Sequence, residues 1–293
     1  MIIGADREQV IQNIKKAANA RDFTAKVEVG DPVMTLDESK RLVSDFWKQQ
    51  NSLSGKLNDL VGHTTFAILA KILTASAEFK GTDKLKNLPQ GGAIITANHF
   101  YQFDPMRIER LTTKMHHKLL VLSEDTNLKL PGFLGYLMNY AGVIPLVKSP
   151  NYIGLELPKH LHDALAKNYW VLIFPEQEMW WNYRKPRKLQ RGAYYFAAKQ
   201  NVPVISTFVE IRTLPKLEKN HPDFYQTKCI IHVLPTIYPD VTLNLRQNSK
   251  QMMAKDYQQK VATYEKIYGK KLNYDFTPWD IAGWRNKVNE DKQ

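Results

Sequence analysis

The sequence predicts an α/β protein with a mostly parallel central sheet flanked by helices, preceded by an N-terminal helical region. Two observations lead to this class. The first part of the chain carries apolar residues at helical spacing, whereas from residue 92 onward short apolar runs alternate with helical stretches. Such alternation is typical of parallel sheets. We therefore expect a helical region at residues 1–80 and an α/β domain at 81–293 that ends in helices.

Three helices are expected in the N-terminal region. Residues 6–20 have apolar positions on one helical face, and a second helix starts near Thr35, where Glu38 three residues later completes a capping box. The third, at residues 60–79, is apolar but contains Lys71. It falls short of the roughly 18 uncharged apolar residues of a membrane span. We predict a buried or interfacial helix, which makes the 1–80 region a possible membrane-interface element.

The α/β region is predicted to contain six strands and several helices. The apolar runs are residues 92–98, 118–124, 142–147, 170–176, 202–210 and 229–239. The helices are expected at residues 105–114, 154–167, 189–200 and 247–268, with a short amphipathic one at 278–290. Polar groups at the carboxyl ends of such strands are candidate site residues, because α/β folds place their sites there.

The composition restricts the partners. The chain has 43% hydrophobic and 24% charged residues, as a globular protein does, and 41 Lys+Arg against 29 Asp+Glu leave a net charge of +12. This excess favours an anionic partner: nucleic acid, an anionic membrane surface or a phosphorylated substrate. Cys229 is the only cysteine, so an internal disulfide and a zinc ribbon are excluded. The N-terminus lacks the pattern of a signal peptide.

The stretch "AIITANHFYQFDPMRIERL" places Asn98 and His99 where an apolar run ends, and Asp104 before Pro105. One interpretation is structural: a histidine at a strand end, then an aspartate that caps a helix. The other is catalytic: a histidine base held in one tautomer by a carboxylate. The spacing permits both.

The segment 174–193 is rich in aromatic and basic residues. It places Trp180 and Trp181 beside the cations Arg184, Lys185 and Arg187. Such a mixture suits a groove for single-stranded nucleic acid, a membrane interface, or merely a solvated run of charge. Lys148 follows another apolar run and is either solvated or an anion-binding residue. The histidines at 116, 117, 160 and 162 lack metal-ligand spacing, so no metal site is expected.

Taken in order, these segments resemble the glycerolipid acyltransferases of the 1-acylglycerol-3-phosphate acyltransferase (PlsC-like) family. "NHFYQFD" (98–104) matches the family's NHxxxxD block, and "GVIPLVK" (142–148) matches G-x-I-P-x-x-[RK]. "FPE" (174–176) opens the F-P-E-G-x-R block, "RGA" (191–193) resembles a downstream K-G-A, and "VPVI" (202–205) begins the last block. Two positions depart from the pattern: Gln177 stands where glycine is expected, and Met179 where arginine is expected.

The resemblance implies acyl transfer from acyl-CoA or acyl carrier protein to a hydroxyl of a lysophospholipid, glycerolipid or glycolipid. No cofactor is expected beyond that thioester. His99 would be the general base and Asp104 its orienting carboxylate. Substrate would be bound by Asn98, Lys148, Glu176, Arg184, Lys185 and Arg187. Trp180 and Trp181 would contact a membrane surface that contains anionic lipid, with the protein cytoplasmic and peripheral on the inner face of the cell membrane.

The alternatives come from other classes. A basic nucleic-acid-binding protein would explain the charge but leave His99 and Asp104 without a role, so no nucleic-acid partner is expected. A non-catalytic lipid-binding protein would fit the departures at Gln177 and Met179. A thioesterase would need the same histidine base.

Overall fold

The computed structural model describes residues 6–30, 32–86, 88 and 90–285. Its strands are β1 (Glu78–Lys80), β2 (Ala93–Thr96), β3 (Leu119–Glu124), β4 (Val143–Leu146), β5 (Trp170–Ile173), β6 (Val204–Leu217) and β7 (Tyr225–Val233). They form one seven-stranded sheet in the order β1-β7-β6-β2-β5-β3-β4. Neighbouring strands run parallel, except β6 and β7, which are antiparallel. The predicted α/β class with a mostly parallel sheet is confirmed.

The helices are α1 (Arg7–Asn19), α2 (Leu36–Asn51), α3 (Leu53–Leu73), α4 (Asp104–Lys114), α5 (Gly132–Tyr140), α6 (Leu157–Ala166), α7 (Gly192–Gln200) and α8 (Leu245–Tyr268). The capping box at Thr35 and Glu38 is present at the start of α2. α3 begins earlier than expected because the Ser52 hydroxyl accepts the Gly55 N–H and caps it. α5 and β1 were not predicted.

Both faces of the sheet are covered. On β2, Ile94 packs in a cluster with residues of α6 and α7, whereas Ala93 and Ile95 pack in another cluster with residues of α4. Strands buried on both faces carry continuous apolar runs rather than alternating ones. This explains why the sequence showed the strands as uninterrupted apolar segments.

The N-terminal helices pack on different parts of this α/β body. α1 shares an apolar cluster with Trp180 and Trp181, and α2 contributes Val43 and Phe46 to the cluster of α6 and α7. α3 lies against α4 and α5. The division of the chain near residue 80 stays a prediction.

The C-terminal end differs from the expectation. α8 agrees with the predicted helix at 247–268, but residues 278–285 form a single 3₁₀ turn at Pro278–Asp280 and then short bridges. The amphipathic helix predicted at 278–290 is therefore wrong over its first half, because Ile281 and Trp284 each make an isolated β-bridge, to Tyr183 and Phe224 respectively. Its remaining residues lie outside the described part of the chain.

A buried polar network joins α8 to the end of β2. The Lys260 ammonium is fully buried and donates to Asp256 at 2.5 Å and to the Thr96 hydroxyl at 2.9 Å. Asp256 also accepts from the hydroxyls of Thr96, Ser206 and Tyr194. Burial lowers the pKa of Lys260, and the Asp256 carboxylate opposes that shift. Each charge is therefore stable only while the other is present.

We expect Lys260→Met to lower the free energy of unfolding by about 3–5 kcal/mol, because Asp256 would remain buried without its counter-charge. Urea denaturation of the purified protein measures this. Lys255→Met, an exposed lysine on the same helix, should change stability by no more than about 0.5 kcal/mol. Equal stability of the two variants would contradict the role given to the pair.

Candidate active site

The histidine and aspartate of the NHxxxxD block meet at the carboxyl edge of the sheet. The turn between β2 and α4 brings Oδ2 of Asp104 to 3.0 Å from Nδ1 of His99. Asp104 is buried, whereas His99 remains partly exposed. Because Nδ1 faces the carboxylate, Nε2 is the ring nitrogen left for a substrate.

Asp104 is held by several donors and does not cap α4. Its Oδ2 accepts the backbone N–H groups of Phe100 and Tyr101, both at 2.8 Å, and its Oδ1 accepts from Arg107 at 2.7 Å. The residue at the N-cap position is Phe103, which makes no side-chain cap. The structural interpretation of Asp104 as a helix cap is therefore wrong. The carboxylate orients His99 instead.

A second contact to the imidazole comes from Phe174, at the end of β5. The imidazole ring stacks on Phe174, which follows β5, with the ring centroids 3.9 Å apart and the planes at 13°. β2 and β5 are parallel neighbours, so their ends lie side by side. The stacking and the bond to Asp104 together restrict rotation of the ring.

Glu176 and Arg187 form a buried pair directly behind His99. Glu176 Oε1 accepts the Arg187 N–H at 2.9 Å, and its Oε2 lies 3.1 Å from the Arg187 guanidinium. Glu176 Oε2 also accepts the His99 backbone N–H at 3.2 Å, and Arg187 donates to the His99 carbonyl at 3.3 Å. Both side chains are buried, and neither lines the cavity described below. The prediction that they bind substrate is corrected: they hold the backbone of the histidine.

The other two cations of this segment are also internal. Arg184 donates to the Ile211 carbonyl at 3.3 Å and to the Thr213 hydroxyl at 2.7 Å, and burial lowers its pKa. Lys185 donates to the Asp280 carboxylate at 2.7 Å. Because these contacts occupy both groups inside the protein, the predicted role of Arg184 and Lys185 in binding a headgroup is wrong.

Trp180 and Trp181 are core residues. Trp180 donates from its indole N–H to the Ala25 carbonyl at 3.0 Å, and Trp181 packs edge-on against Phe224. Both are almost completely buried. The prediction that they enter a membrane interface is wrong, because α1 and the residues after it cover them. For the same reason this segment offers no groove of aromatic and basic side chains to a nucleic acid.

Asn98 joins two strands rather than binding substrate. Its amide nitrogen donates to the Val209 carbonyl at 3.0 Å, and its amide oxygen accepts the Val209 N–H at 2.7 Å. The side chain is buried and lies outside the cavity lining. The substrate-binding role predicted for Asn98 is therefore corrected: the residue fixes β6 against the turn that carries His99.

His99 opens onto a cavity of about 510 Å³. Its walls come from α3, α4, α5 and the ends of β3, β4 and β5, and most of them are apolar: Phe66, Phe103, Met106, Leu130, Leu134, Leu137, Met138, Val143, Leu146 and Phe174 among others. An apolar cavity beside a polarised histidine suits a ligand with a long hydrocarbon chain. This wall was not predicted, since α5 was not recognised as a helix.

Lys148 lies at the same cavity but is already paired. Its ammonium is 2.6 Å from Glu124, and its side chain is 71% exposed. The hydrogen bond that Lys148 donates to the Glu124 carboxylate raises the pKa of Lys148. His99 and Lys148 thus reach one cavity, as predicted, whereas Glu176 lies behind the histidine.

Gln177 adopts a backbone conformation that favours glycine. Its φ is +67°, in the left-handed region, at the position where the resembling family has glycine. Its N–H donates to the Phe174 carbonyl at 3.1 Å in a tight turn. The turn therefore holds Gln177 in a conformation that glycine adopts without strain.

The comparisons with known proteins agree with this geometry. Residues 77–210 match the family model described as Acyltransferase, a range that includes His99, Asp104 and the Glu176–Arg187 pair. The protein therefore resembles acyltransferases over this range. Its fold is similar to that of the crystal structure of the 1-acyl-sn-glycerophosphate (LPA) acyltransferase, PlsC, from Thermotoga maritima. The TM-score is 0.52 at 13% identity, with 82% of this chain and 100% of that chain covered. No curated protein matches the sequence significantly.

We expect Gln177→Gly to raise the free energy of unfolding by about 1 kcal/mol, because glycine relieves the left-handed strain. Chemical denaturation measures the change. Gln258→Gly, in the middle of α8, should lower the free energy of unfolding by about 1 kcal/mol. If the Gln177 variant loses stability as the Gln258 variant does, the turn is not strained.

Proposed function

We propose that the protein transfers a fatty acyl group from acyl-CoA or acyl carrier protein to a hydroxyl of a lysophospholipid or a related glycerolipid or glycolipid. The observation that carries the proposal is the 3.0 Å contact between His99 Nδ1 and Asp104 Oδ2 at an apolar cavity. The histidine is the base that such a transfer needs, and the cavity accommodates the acyl chain. The match to the Acyltransferase family supports the same reaction type.

The reaction proceeds in this scheme without an acyl-enzyme. Nε2 of His99 takes the proton of the acceptor hydroxyl while its oxygen attacks the thioester carbonyl. The Asp104 carboxylate accepts a hydrogen bond from the Nδ1–H group of His99 and stabilises the imidazolium. The tetrahedral intermediate then collapses, the carbon–sulfur bond breaks, and the leaving thiolate takes the proton from the imidazolium. The products are an ester and a free thiol, and no cofactor other than the thioester is needed.

Cys229 gives this scheme indirect support. It is the only cysteine, it is buried on β7, and burial raises its pKa to about 11. A thiol with such a pKa is protonated at neutral pH and is a poor nucleophile. A covalent route through this residue is therefore disfavoured.

We expect His99→Ala to reduce acyl transfer by at least about 100-fold, the lower end of the contribution of a general base. Asp104→Asn should lose a similar factor, because the amide no longer stabilises the imidazolium. Rates are measured with labelled acyl-CoA and acyl-carrier-protein donors against a panel of lipid acceptors.

The matched control is His162→Ala, an exposed histidine on α6, which should retain the wild-type rate. Circular dichroism establishes that each variant is folded. Near wild-type turnover by folded His99→Ala would refute the mechanism. Release of free fatty acid without acceptor acylation would identify a thioesterase, and wild-type protein that binds lipid without turnover would identify a non-catalytic relative.

We propose that α3, and not Trp180 and Trp181, makes the membrane contact. Leu53, Leu57, Leu60, Ile68 and Ile72 are exposed and recur at intervals that place them on one side of this helix. Such an apolar stripe is typical of a helix that lies in a membrane interface. No helix among the described residues is long and apolar enough to cross a bilayer.

The stripe lies close to the cavity. Phe66 of α3 and Leu134 of α5 line the cavity, and Phe133, which precedes Leu134 in α5, is exposed. Lys56 and Lys71 of α3 are exposed, and each adds about 1 kcal/mol near anionic lipid. We therefore propose a cytoplasmic protein that is peripheral on the inner face of the cell membrane, with α3 on the lipid and the cavity within reach of it.

We expect the combined change Leu57→Gln, Leu60→Gln and Ile68→Gln to weaken liposome binding at least about tenfold, because each apolar side chain contributes about 1.5–3 kcal/mol when buried. Flotation with anionic liposomes at low and high salt measures it, and high salt should weaken the wild type. Val241→Gln, an exposed apolar residue elsewhere, is the control. Unchanged flotation of the triple variant would contradict the assignment.

A further inference from the structure

The charge around the cavity is opposite to that of the whole protein. The chain carries a net charge of +12, yet the carboxylates of Glu28, Glu124 and Glu178 line the cavity, together with the single lysine Lys148 among its described lining residues. An acceptor headgroup that approaches His99 therefore meets more negative than positive charge.

Glu124 lies between two of the lysines near the cavity. This carboxylate lies 2.6 Å from Lys148 and 3.8 Å from Lys26. The pKa of Glu178 is raised, first by burial and then by repulsion from Glu124, which outweigh the opposing effects of Lys26 and Lys148. A second anion brought to this place would be repelled further.

Other nearby cations are engaged inside the protein. Arg107 donates to Asp104 at 2.7 Å, and Arg187 is paired with Glu176. At position 179, which lines the cavity directly before Trp180, the side chain is an uncharged methionine. A phosphomonoester carries close to two negative charges at neutral pH, and stable binding of such a group needs donors that are free to meet it.

The polar part of the lining is suited to hydroxyl groups. It contains the amides of Asn127, Gln177 and Gln190 and the hydroxyl of Ser123. Amides donate and accept hydrogen bonds, and carboxylates accept them from hydroxyls. These groups can bind several uncharged hydroxyls without adding negative charge.

We propose that the acceptor has an uncharged polyhydroxyl headgroup, a sugar or glycerol on a monoacylglycerol backbone, and not a phosphomonoester. The inference rests on the proposed acyl transfer at His99 and names the acceptor class of that site. The carboxylates would accept hydrogen bonds from the headgroup hydroxyls, and Glu124 would keep Lys148 from attracting phosphate.

The experiment compares acceptors with the same single acyl chain in uncharged detergent micelles, so that only the headgroup differs. The acceptors are a glucosyl monoacylglycerol, lysophosphatidate and lysophosphatidylcholine. We expect kcat/KM for the glucosyl acceptor to exceed that for each of the other two at least about tenfold, as repulsion of a phosphate by one nearby charge would produce.

Charge variants provide a second measurement. Glu124→Gln frees Lys148, and Met179→Arg adds a cation to the cavity. Each should raise the ratio of lysophosphatidate to glucosyl-acceptor turnover at least about tenfold. Glu8→Gln, the same kind of charge change on the exposed face of α1, should leave the ratio unchanged.

The outcomes separate this inference from the proposed function. Lysophosphatidate or lysophosphatidylcholine used as well as, or better than, the glucosyl acceptor would overturn the acceptor class and leave acyl transfer standing. Failure of folded wild-type protein to acylate any acceptor would overturn acyl transfer itself and the acceptor class with it. If either variant does not fold, the wild-type acceptor series still decides.

Discussion

The buried ion pair of Glu176 and Arg187 is the contact on which the rest of the site depends. Its carboxylate accepts the N–H of His99 and its guanidinium donates to the carbonyl of the same residue, so the two peptide units that flank the His99 Cα are both fixed. Arg187 also donates to the carbonyl of Phe23, which follows α1. Loss of one partner of a buried pair leaves an uncompensated charge, and the cost is about 3–5 kcal/mol. The pair therefore links the N-terminal helices, the turn after β5 and the histidine in one arrangement.

This constraint explains why a segment rich in tryptophan and cations lies in the interior. Trp180 covers the Arg187 guanidinium, whose carbon lies 4.8 Å from the ring centroid. The backbone N–H of Trp180 donates to the His99 carbonyl at 3.1 Å. Lys185 is similarly paired with Asp280. The basic segment is thus a framework around the turn that carries His99, and the proposed lipid contact is made by α3.

Much of the fold and the reacting pair could be predicted from the sequence, because the signals were local. The apolar runs predicted six strands, and the spacing from His99 to Asp104 allowed the aspartate to fold back onto the histidine ring. The remaining site could not be predicted, because burial depends on contacts between distant residues. Lys185 pairs with Asp280 and Trp181 packs against Phe224, and both partners lie far along the chain. In the sequence, these residues are indistinguishable from a solvated basic run. The cavity wall was missed because α5, with its glycines and unbroken apolar composition, lacks an amphipathic pattern.

A crystal structure of the protein with an unreactive thioether analogue of acyl-CoA would show whether this framework holds His99 at the mouth of an apolar cavity for the acyl chain. We expect the acyl chain to lie against Phe66 and Leu137. The carbon that replaces the thioester carbonyl should lie next to Nε2 of His99, within about 3–3.5 Å of an acceptor hydroxyl position. A chain bound outside the cavity, or an imidazole turned away from it with the bond to Asp104 broken, would contradict the account.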